Sequence, residues 1–294
     1  MNYFSDLSGK NEVERFLLDN IILSSELQDL AESNVDENIP VLERCNEKVL
    51  EGYGSKRIGE FLSSSDYNPI KSVRHDMVNN YAIVGGYISL YNGGNKELFN
   101  ITRMNVIGTI IERTTLSIMD EMSDSFFPEN YMQMKDLYSE FQRMPLAFID
   151  GISEKKVNIT VVDGVTSDLF LGTYAASNLS RIIHNIFMNK LSLFGSVDML
   201  VRASRSDEGY EFCIYDTSGV PIPDSYHDPM DVCALGASSR GSSGIGLYVA
   251  RELVKNLMMG EFLVERNNSD FPDPRYGGAK FKITLPEKSL LATC

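Results

Sequence analysis

Two stretches of regularly spaced apolar residues, separated by a turn, constrain the fold of this chain more than any other feature. Apolar residues recur at gaps of three and four across residues 70–91 and again across residues 98–122. Such spacing places them along one side of a helix. The segment Asn-Gly-Gly-Asn at 92–95 is a strong turn signal. Residues 67–123 are therefore predicted to form a helical hairpin.

The two predicted helices have apolar stripes too wide to be buried against each other alone. A second hairpin from another copy of the chain would complete a four-helix bundle and cover both stripes. The sequence therefore predicts a homodimer on the ground of burial.

Downstream of Pro128 the pattern changes to a mixture of helices and strands. Runs of alternating apolar and polar residues predict strands, and a loop rich in Gly, Ser and Pro at 218–243 is long enough to be a lid. The predicted helices cover about 131–153, 174–194 and 245–258, and the predicted strands cover 157–162, 169–171, 199–203, 211–215, 262–265 and 280–285. This succession predicts an α/β sandwich with mostly antiparallel strands.

These patterns divide the chain into three predicted segments. Residues 1–65 are a mostly helical extension without a recognisable role, residues 66–125 are the dimeric hairpin, and residues 126–290 are the α/β sandwich. The fold class is therefore α+β, with a four-helix bundle followed by a sandwich domain.

The charge balance limits the partners of the chain. Its 294 residues carry a formal net charge of −14 at pH 7, which argues against nucleic-acid binding because that needs a basic surface. The longest mostly apolar stretch, residues 81–91, is shorter than the roughly 20 residues of a membrane span. Four widely spaced cysteines without a Cys-x-x-Cys pair favour free thiols in a reducing compartment. We therefore expect a cytoplasmic protein without a membrane span.

His75, on the first predicted helix of the hairpin, is a candidate phosphoryl acceptor. It lies two residues from Val73 and Met77, so it points away from the apolar seam, and Asn79 lies one turn on along the same face. Neutral imidazole is a nucleophile near pH 7, and the neighbouring Asp76 can accept its ring proton. Taken alone, these residues are also typical of an ordinary polar helix face. Their interpretation as a phosphoryl acceptor site depends on the residues downstream.

Polar residues downstream indicate a nucleotide pocket. Asn185 and Asn189 are four residues apart on a predicted helix and therefore lie on one face. Amide oxygens placed in this way can ligate Mg²⁺, which prefers hard oxygen ligands. Asp216 ends a predicted strand, where a buried acceptor could take a hydrogen bond from the amino group of adenine. Each of these signals alone is also typical of an ordinary helix or turn.

A glycine-rich segment, Gly241-Ser-Ser-Gly244-Ile-Gly246-Leu247, stands directly before a predicted helix. Glycines allow the backbone to approach a ligand closely, and a helix N-terminus favours phosphate groups. The segment lacks both the strand-loop-helix context of a dinucleotide fold and the P-loop pattern Gly-x4-Gly-Lys-Ser/Thr. We therefore predict a nucleotide pocket of another kind.

In this order, the signals resemble those of a sensor histidine kinase over about residues 67–286. Residues 74–79 are similar to the sporulation phosphotransferase and citrate-sensor subgroup, in which Asp follows the phosphorylated histidine and Asn stands one turn later. The resemblance implies that His75 is the phosphoacceptor, Asp76 the general base and Asn79 a phosphatase residue. It also implies ATP as the phosphoryl donor and transfer to the receiver domain of a response regulator.

The same resemblance implies a Bergerat-type ATP-binding fold, shared with gyrase and heat-shock chaperones. Asn189 is then the better candidate for Mg²⁺, Asp216 matches the adenine-binding aspartate, and residues 234–240 resemble the end of an ATP lid. The residues that the resemblance places around ATP are Asn185, Asn189, Lys190, Asp216, Gly219, Gly241, Gly244, Gly246 and Leu247.

Two positions depart from the family pattern. Lys190 stands where alanine is usual, and it is the candidate to supply the basic phosphate contact that Ser192 does not. Ser218 stands where glycine is usual, and Gly219 is the candidate to compensate. Two alternatives to an active histidine kinase therefore stay open. One is a phosphorelay phosphotransferase with a degenerate ATP site, and the other is a Bergerat-type ATPase or anti-sigma kinase without a phosphohistidine.

Overall fold

The chain divides into two compact units. The computed structural model describes residues 7–30, 35–54, 84–86, 89, 92–94, 101–121, 131–147, 157–164, 166–194, 197–218, 220–234, 236–237, 245–266 and 273–290. One unit comprises Met1–Asp124 with Leu146–Phe148, and the other comprises Ser125–Pro145 with Ile149–Cys294. Most of the first predicted helix of the hairpin, with His75, Asp76 and Asn79, lies outside the described residues.

The first unit is helical where it is described. Helix α1 spans Leu7–Gln28, α2 spans Val35–Gly54 and α3 spans Ile101–Glu121. Helices α1 and α3 approach closely at Gly108, where a Cβ atom would lie 2.7 Å from the carbonyl oxygen of Ser24. The mostly helical character predicted for the N-terminal segment is confirmed for these residues.

Helix α3 is the second predicted arm of the hairpin, and its apolar stripe is covered within one chain. Every described side chain from Ile101 to Asp120 is buried or half-buried. Gln28 of α1 donates a hydrogen bond to Glu112 of α3 at 2.9 Å. The burial argument for a dimer assumed that the two arms had only each other to pack against. Because α1 supplies a further surface, that argument no longer requires a second chain at α3, and homodimerisation stays a prediction.

The second unit is built around a five-stranded sheet. Its described strands are β1 Tyr131–Gln133, β2 Val157–Asp163, β3 Phe170–Gly172, β4 Val197–Ser206, β5 Gly209–Asp216, β6 Glu261–Glu265 and β7 Lys280–Leu285. The sheet has the order β2-β4-β5-β7-β6, and β1 pairs with β3 separately. The β2–β4 pair is parallel, and the other pairs of the large sheet are antiparallel. The predicted mostly antiparallel strands are confirmed.

Helices complete the sandwich. The described α-helices of this unit are α4 Met134–Arg143, α5 Thr173–Phe194, α6 Gly246–Glu252 and the short α7 Glu287–Leu290. Alternation along the strands buries Phe212, Ile214, Phe281 and Ile283 at 1% exposure or less. Helix α5 is buried from Ala176 to Phe187. The central helix of the unit is therefore the one on which the candidate asparagines lie.

Two helices differ from the prediction in their extent. The helix predicted at 131–153 starts as strand β1, and α4 ends at Arg143 before a 3-10 turn at Met144–Ala147. Pro145 has no N–H group to continue an α-helix. The helix predicted at 245–258 changes to a π-helical turn at Leu253–Leu257. There the amide of Met258 donates to the carbonyl of Leu253, five residues earlier.

The cysteines play a structural part where they are described. No disulfide joins Cys45, Cys213 and Cys233, which are all buried. Burial raises the pKa of the Cys213 thiol to about 11 and that of the Cys233 thiol to about 12. Both thiols are therefore protonated at neutral pH. Within the described ranges, no helix combines the length and apolar character that a membrane span needs.

Gly209, at the end of the β4–β5 hairpin turn, is predicted to tolerate no side chain. Its φ is +139°, and an added Cβ would collide with the carbonyl oxygen of Leu285. Gly209→Ala should lower the free energy of unfolding by about 2 kcal/mol, measured by urea denaturation with circular dichroism. Gly236→Ala is the control, because Gly236 has a φ of +79° and no described atom within 4 Å of an added Cβ. Equal losses from both variants would contradict the role of the collision.

Candidate functional site

Helix α5 carries a set of buried polar side chains through the second unit. Buried polar groups in proteins are normally satisfied by a partner, a water or a ligand. A helix with many of them in a domain core is therefore a natural place for a site. The buried polar residues of α5 are Ser177, Asn178, Ser180, Arg181, His184, Asn185 and Lys190.

Asn185 faces the start of helix α6. A Cβ atom on Gly246 would lie 3.3 Å from Oδ1 of Asn185 and 3.7 Å from its carbonyl oxygen, so a side chain at position 246 would crowd the asparagine. The Asn185 side chain is buried, and its Nδ2 has no hydrogen-bond partner among the described residues. Leaving a buried donor unpaired costs about 1–3 kcal/mol. This site therefore offers an unused hydrogen-bond donor to a ligand.

Asn189 stands one turn after Asn185 on α5. It is half-buried, whereas Asn185 is buried, so the same helix face becomes more accessible toward its C-terminal end. Mg²⁺ usually keeps several waters when a protein side chain binds it, and a half-buried amide oxygen leaves room for them. No cluster of three or more His, Cys, Asp or Glu side chains suited to a metal occurs in the described part of the chain.

Asp216, the last residue of β5, is paired with Lys190 of α5. Nζ of Lys190 lies 2.5 Å from Oδ2 of Asp216, and the two side chains are 4% and 1% exposed. The ammonium group also lies 5.0 Å from the centroid of the Phe281 ring, which is a cation–π contact. Removing one partner of a buried ion pair leaves an uncompensated charge in the interior. Lys190 and Asp216 therefore act as one electrostatic unit.

The turn after Asp216 is fixed by hydrogen bonds. The amide of Ser218 donates to Oδ1 of Asp216 at 2.8 Å, and the amide of Val220 donates to Oγ of Ser218 at 3.2 Å. The amide of Thr217 donates to the carbonyl of Asp198 at 3.0 Å, and the amide of Asp198 donates to Oγ1 of Thr217 at 3.0 Å. The turn therefore accommodates Ser218, which departs from the family pattern, through hydrogen bonds of its backbone and its hydroxyl.

A family comparison covers this whole arrangement. Residues 175–289 match the model of the family described as histidine kinase-, DNA gyrase B-, and HSP90-like ATPase. The matched segment contains most of α5, the strand end at Asp216, and α6. The match covers 115 of the 294 residues, so it characterises this segment and not the whole chain. The α/β sandwich of the Bergerat type that the resemblance implied is thereby confirmed, and the segment is named the ATPase domain after the family whose model it matches.

The solved structures with detectable similarity include histidine kinases. The catalytic domain of histidine kinase ThkA is 13% identical with a TM-score of 0.42, over 55% of this chain and 99% of that one. The mycobacterial sensor histidine kinase MprB is 20% identical with a TM-score of 0.39, over 54% and 97%. The Acinetobacter baumannii histidine kinase AdeS is 12% identical with a TM-score of 0.40, over 72% and 98%. No curated protein matches the sequence. The assignment of the ATPase domain therefore depends on the family model.

The ATPase domain brings some of the predicted nucleotide residues together. Asn185 contacts Gly246, and Lys190 pairs with Asp216. Leu247 is buried within α6. Three predicted residues lie outside the described ones, namely Gly219, Gly241 and Gly244, and the segment predicted to end the ATP lid, 234–240, is described only at 234 and 236–237. The contact of Lys190 with phosphate stays a prediction, since its ammonium lies beside the carboxylate that was predicted to meet the base.

Arg266, directly after β6, is a residue that sequence patterns do not single out. It holds residues 222–226 at the edge of the sheet, since Arg266 directly follows β6 and β6 is an edge strand. The sequence does not predict this arrangement. A single arginine after a strand is common, and the partners of Arg266 lie more than 35 residues earlier in the chain. Its guanidinium donates to the carbonyls of Ile222 at 2.9 Å, Pro223 at 2.7 Å and Tyr226 at 2.5 Å, and to Oδ1 of Asp224 at 3.1 Å.

Proposed function

We propose that this chain is an ATP-dependent protein histidine kinase, which phosphorylates its own His75 and passes the phosphoryl group to an aspartate on a response-regulator receiver domain. The observation that carries the proposal is the arrangement around α5 in the ATPase domain. This one helix brings Asn185 to Gly246 and Lys190 to Asp216. Residues that are distant in sequence thus meet in a domain whose family binds ATP.

The proposed nucleotide lies along α5. Its base is near Asp216, and its phosphates are toward Asn189 and the glycine-rich segment at 241–246. The unused donor of Asn185 supports a polar ligand here. Asn189 is the proposed protein ligand of Mg²⁺, which neutralises charge on the phosphates when it is bound. The residues present therefore fit a magnesium nucleotide.

The chemistry assigned to His75 has two steps. In the first, a ring nitrogen of His75 attacks the γ-phosphorus of ATP, the bond from that phosphorus to the bridging oxygen breaks, and ADP leaves. The proton on the other ring nitrogen passes to Asp76. In the second step the regulator carboxylate attacks the phosphorus, the N–P bond breaks, and the imidazole regains a proton. Positioning by the ATPase domain is the main source of rate in such a transfer.

The proposal extends to three further properties. Asn79 is the proposed residue that orients a water for hydrolysis of the regulator phosphate, which makes the protein a phosphatase as well. The kinase is proposed to act as a homodimer, in which the hairpin of a second copy completes a four-helix bundle. It acts in the cytoplasm, where its receiver-domain partner is also expected.

Labelling of the full-length chain with γ-labelled ATP and Mg²⁺ tests this function. The expected result is protein-bound label that is lost in acid and retained in alkali, because a phosphoramidate bond is acid-labile. Chelation of Mg²⁺ should abolish the label, since the metal neutralises the phosphates in the transfer. Binding of Mg·ATP without acid-labile label would overturn the kinase in favour of an ATPase or anti-sigma kinase. Absence of Mg·ATP binding would overturn it in favour of the phosphotransferase with a degenerate site.

A further inference from the structure

Asp216 has no carboxylate oxygen exposed to a ligand in the described arrangement. The residue is 1% exposed, its Oδ2 is shielded from solvent and lies against Nζ of Lys190, and its Oδ1 accepts the amide of Ser218. A carboxylate can recognise the amino group of a base only if one of its oxygens accepts a hydrogen bond from that group. In this arrangement, the donor that lies against Oδ2 is the Lys190 ammonium, at 2.5 Å.

Lys190 also places a charged hydrogen-bond donor beside Asp216. A lysine ammonium is a donor only, and so is the exocyclic amino group at position 6 of adenine. A carboxylate oxygen that already accepts from a charged ammonium gains less from a second, neutral donor, because the charge-assisted hydrogen bond is the stronger one. Moving Lys190 aside would also take it from the Phe281 ring at 5.0 Å and leave the buried Asp216 carboxylate without its counter-charge, with the Ser218 amide as a donor. The ion pair therefore resists displacement by a neutral base.

We propose that Lys190 makes base recognition indifferent to the amino group at position 6 of a purine. This inference rests on the proposed function of nucleotide binding and adds the class of nucleotide. The pocket takes purine nucleotides with either an amino or an oxo group at position 6. Lys190 is thus a specificity-determining residue, which acts by occupying Asp216.

Comparison of ADP with IDP tests the proposal without turnover, since the two nucleotides differ in the base only at positions 6 and 1. The full-length chain is titrated with each in the presence of Mg²⁺ by calorimetry. The expected dissociation constants agree within about threefold, whereas a hydrogen bond from the amino group to an accessible carboxylate would favour ADP at least about tenfold. A tenfold or larger preference of the wild type for ADP would overturn the inference and leave the proposed function standing. Absence of binding by either nucleotide would instead overturn the proposed function.

Lys190→Met provides the second arm of the test. The substitution removes the ammonium and keeps the length of the side chain, so the preference for ADP over IDP should rise to about tenfold or more. Lys255→Met is the matched control, because Lys255 is an exposed lysine of the same domain, and its ratio should equal that of the wild type. Lys190→Arg, which retains the charge, should stay indifferent. A folded Lys190→Met variant without a preference would overturn the inference, and if that variant does not fold, the wild-type ratio decides alone.

Discussion

Replacing His75 with glutamine should abolish the acid-labile label, with a loss of about 100-fold or more. Glutamine keeps a polar side chain of similar size on the helix but has no nucleophilic nitrogen, because its amide lone pair is delocalised. Mg·ATP binding should be unchanged, since the residues proposed to hold the nucleotide lie in the ATPase domain at 175–289. The measurement is labelling with γ-labelled ATP beside a nucleotide titration on the same preparation.

His227→Gln is the matched control for His75. His227 is an exposed histidine in the described segment 220–234, and its side chain has no part in the proposed transfer. Label should persist in this variant at the level of the wild type. Acid-labile label that survives in His75→Gln would remove His75 from the acceptor role. Acid-stable label that is insensitive to His75 would indicate transfer to a hydroxyl group, as in an anti-sigma kinase.

The sequence predicts the strands of the large sheet in the ATPase domain, because the apolar pattern of each strand is regular and lies within one short segment. Alternation in 211–215 and 280–285 predicts β5 and β7 correctly, although β5 is buried along nearly its whole length and β7 alternates only in its first half. Strand β1 is different. Its three residues are a strand only because they pair with β3, about 40 positions away in the chain. A helix-like apolar pattern continues through them, so the sequence alone predicts a helix there.

The packing of α1 on α3 also depends on information that periodicity does not hold. Both helices have apolar stripes, and a stripe does not indicate which other element packs against it. Gly108 permits the close approach to Ser24 and Leu27, yet an isolated glycine in a helical pattern is only a weak signal. The sequence therefore predicts a second chain where the structure shows a helix of the same chain covering part of α3.

In the candidate site, the resemblance assigns residues to a nucleotide but does not predict which of them lie against each other. Asn185 and Gly246, both assigned to the nucleotide, lie close together in the structure, and their binding of a nucleotide stays a prediction. The ion pair between Lys190 and Asp216 joins positions 26 residues apart and depends on the reach of one flexible side chain. A lysine after an asparagine shows only that a positive charge is present, so the sequence favours a phosphate contact and does not predict the ion pair with Asp216.

Breaking the Lys190–Asp216 pair from either side should lower the free energy of unfolding by about 3–5 kcal/mol. Asp216→Leu leaves the ammonium buried, with the Phe281 ring as a weak partner at 5.0 Å. Lys190→Met leaves the carboxylate buried, with the Ser218 amide as a donor at 2.8 Å. Urea denaturation followed by circular dichroism measures both.

The double variant Lys190→Met/Asp216→Leu separates charge from packing. Replacing a buried ion pair by apolar side chains of similar volume is often neutral or stabilising, so the double variant should recover to within about 1 kcal/mol of the wild type, which implies a coupling energy of several kcal/mol. Glu265→Gln is the control, because its pair with Lys280 at 2.8 Å is largely exposed on the glutamate side at 45% and should change stability by less than about 1 kcal/mol. A double variant as unstable as the sum of the single ones would show that the shape of these side chains, and not the pairing of their charges, holds α5 against β5. In that case the proposal that Lys190 acts by occupying Asp216 would also fail.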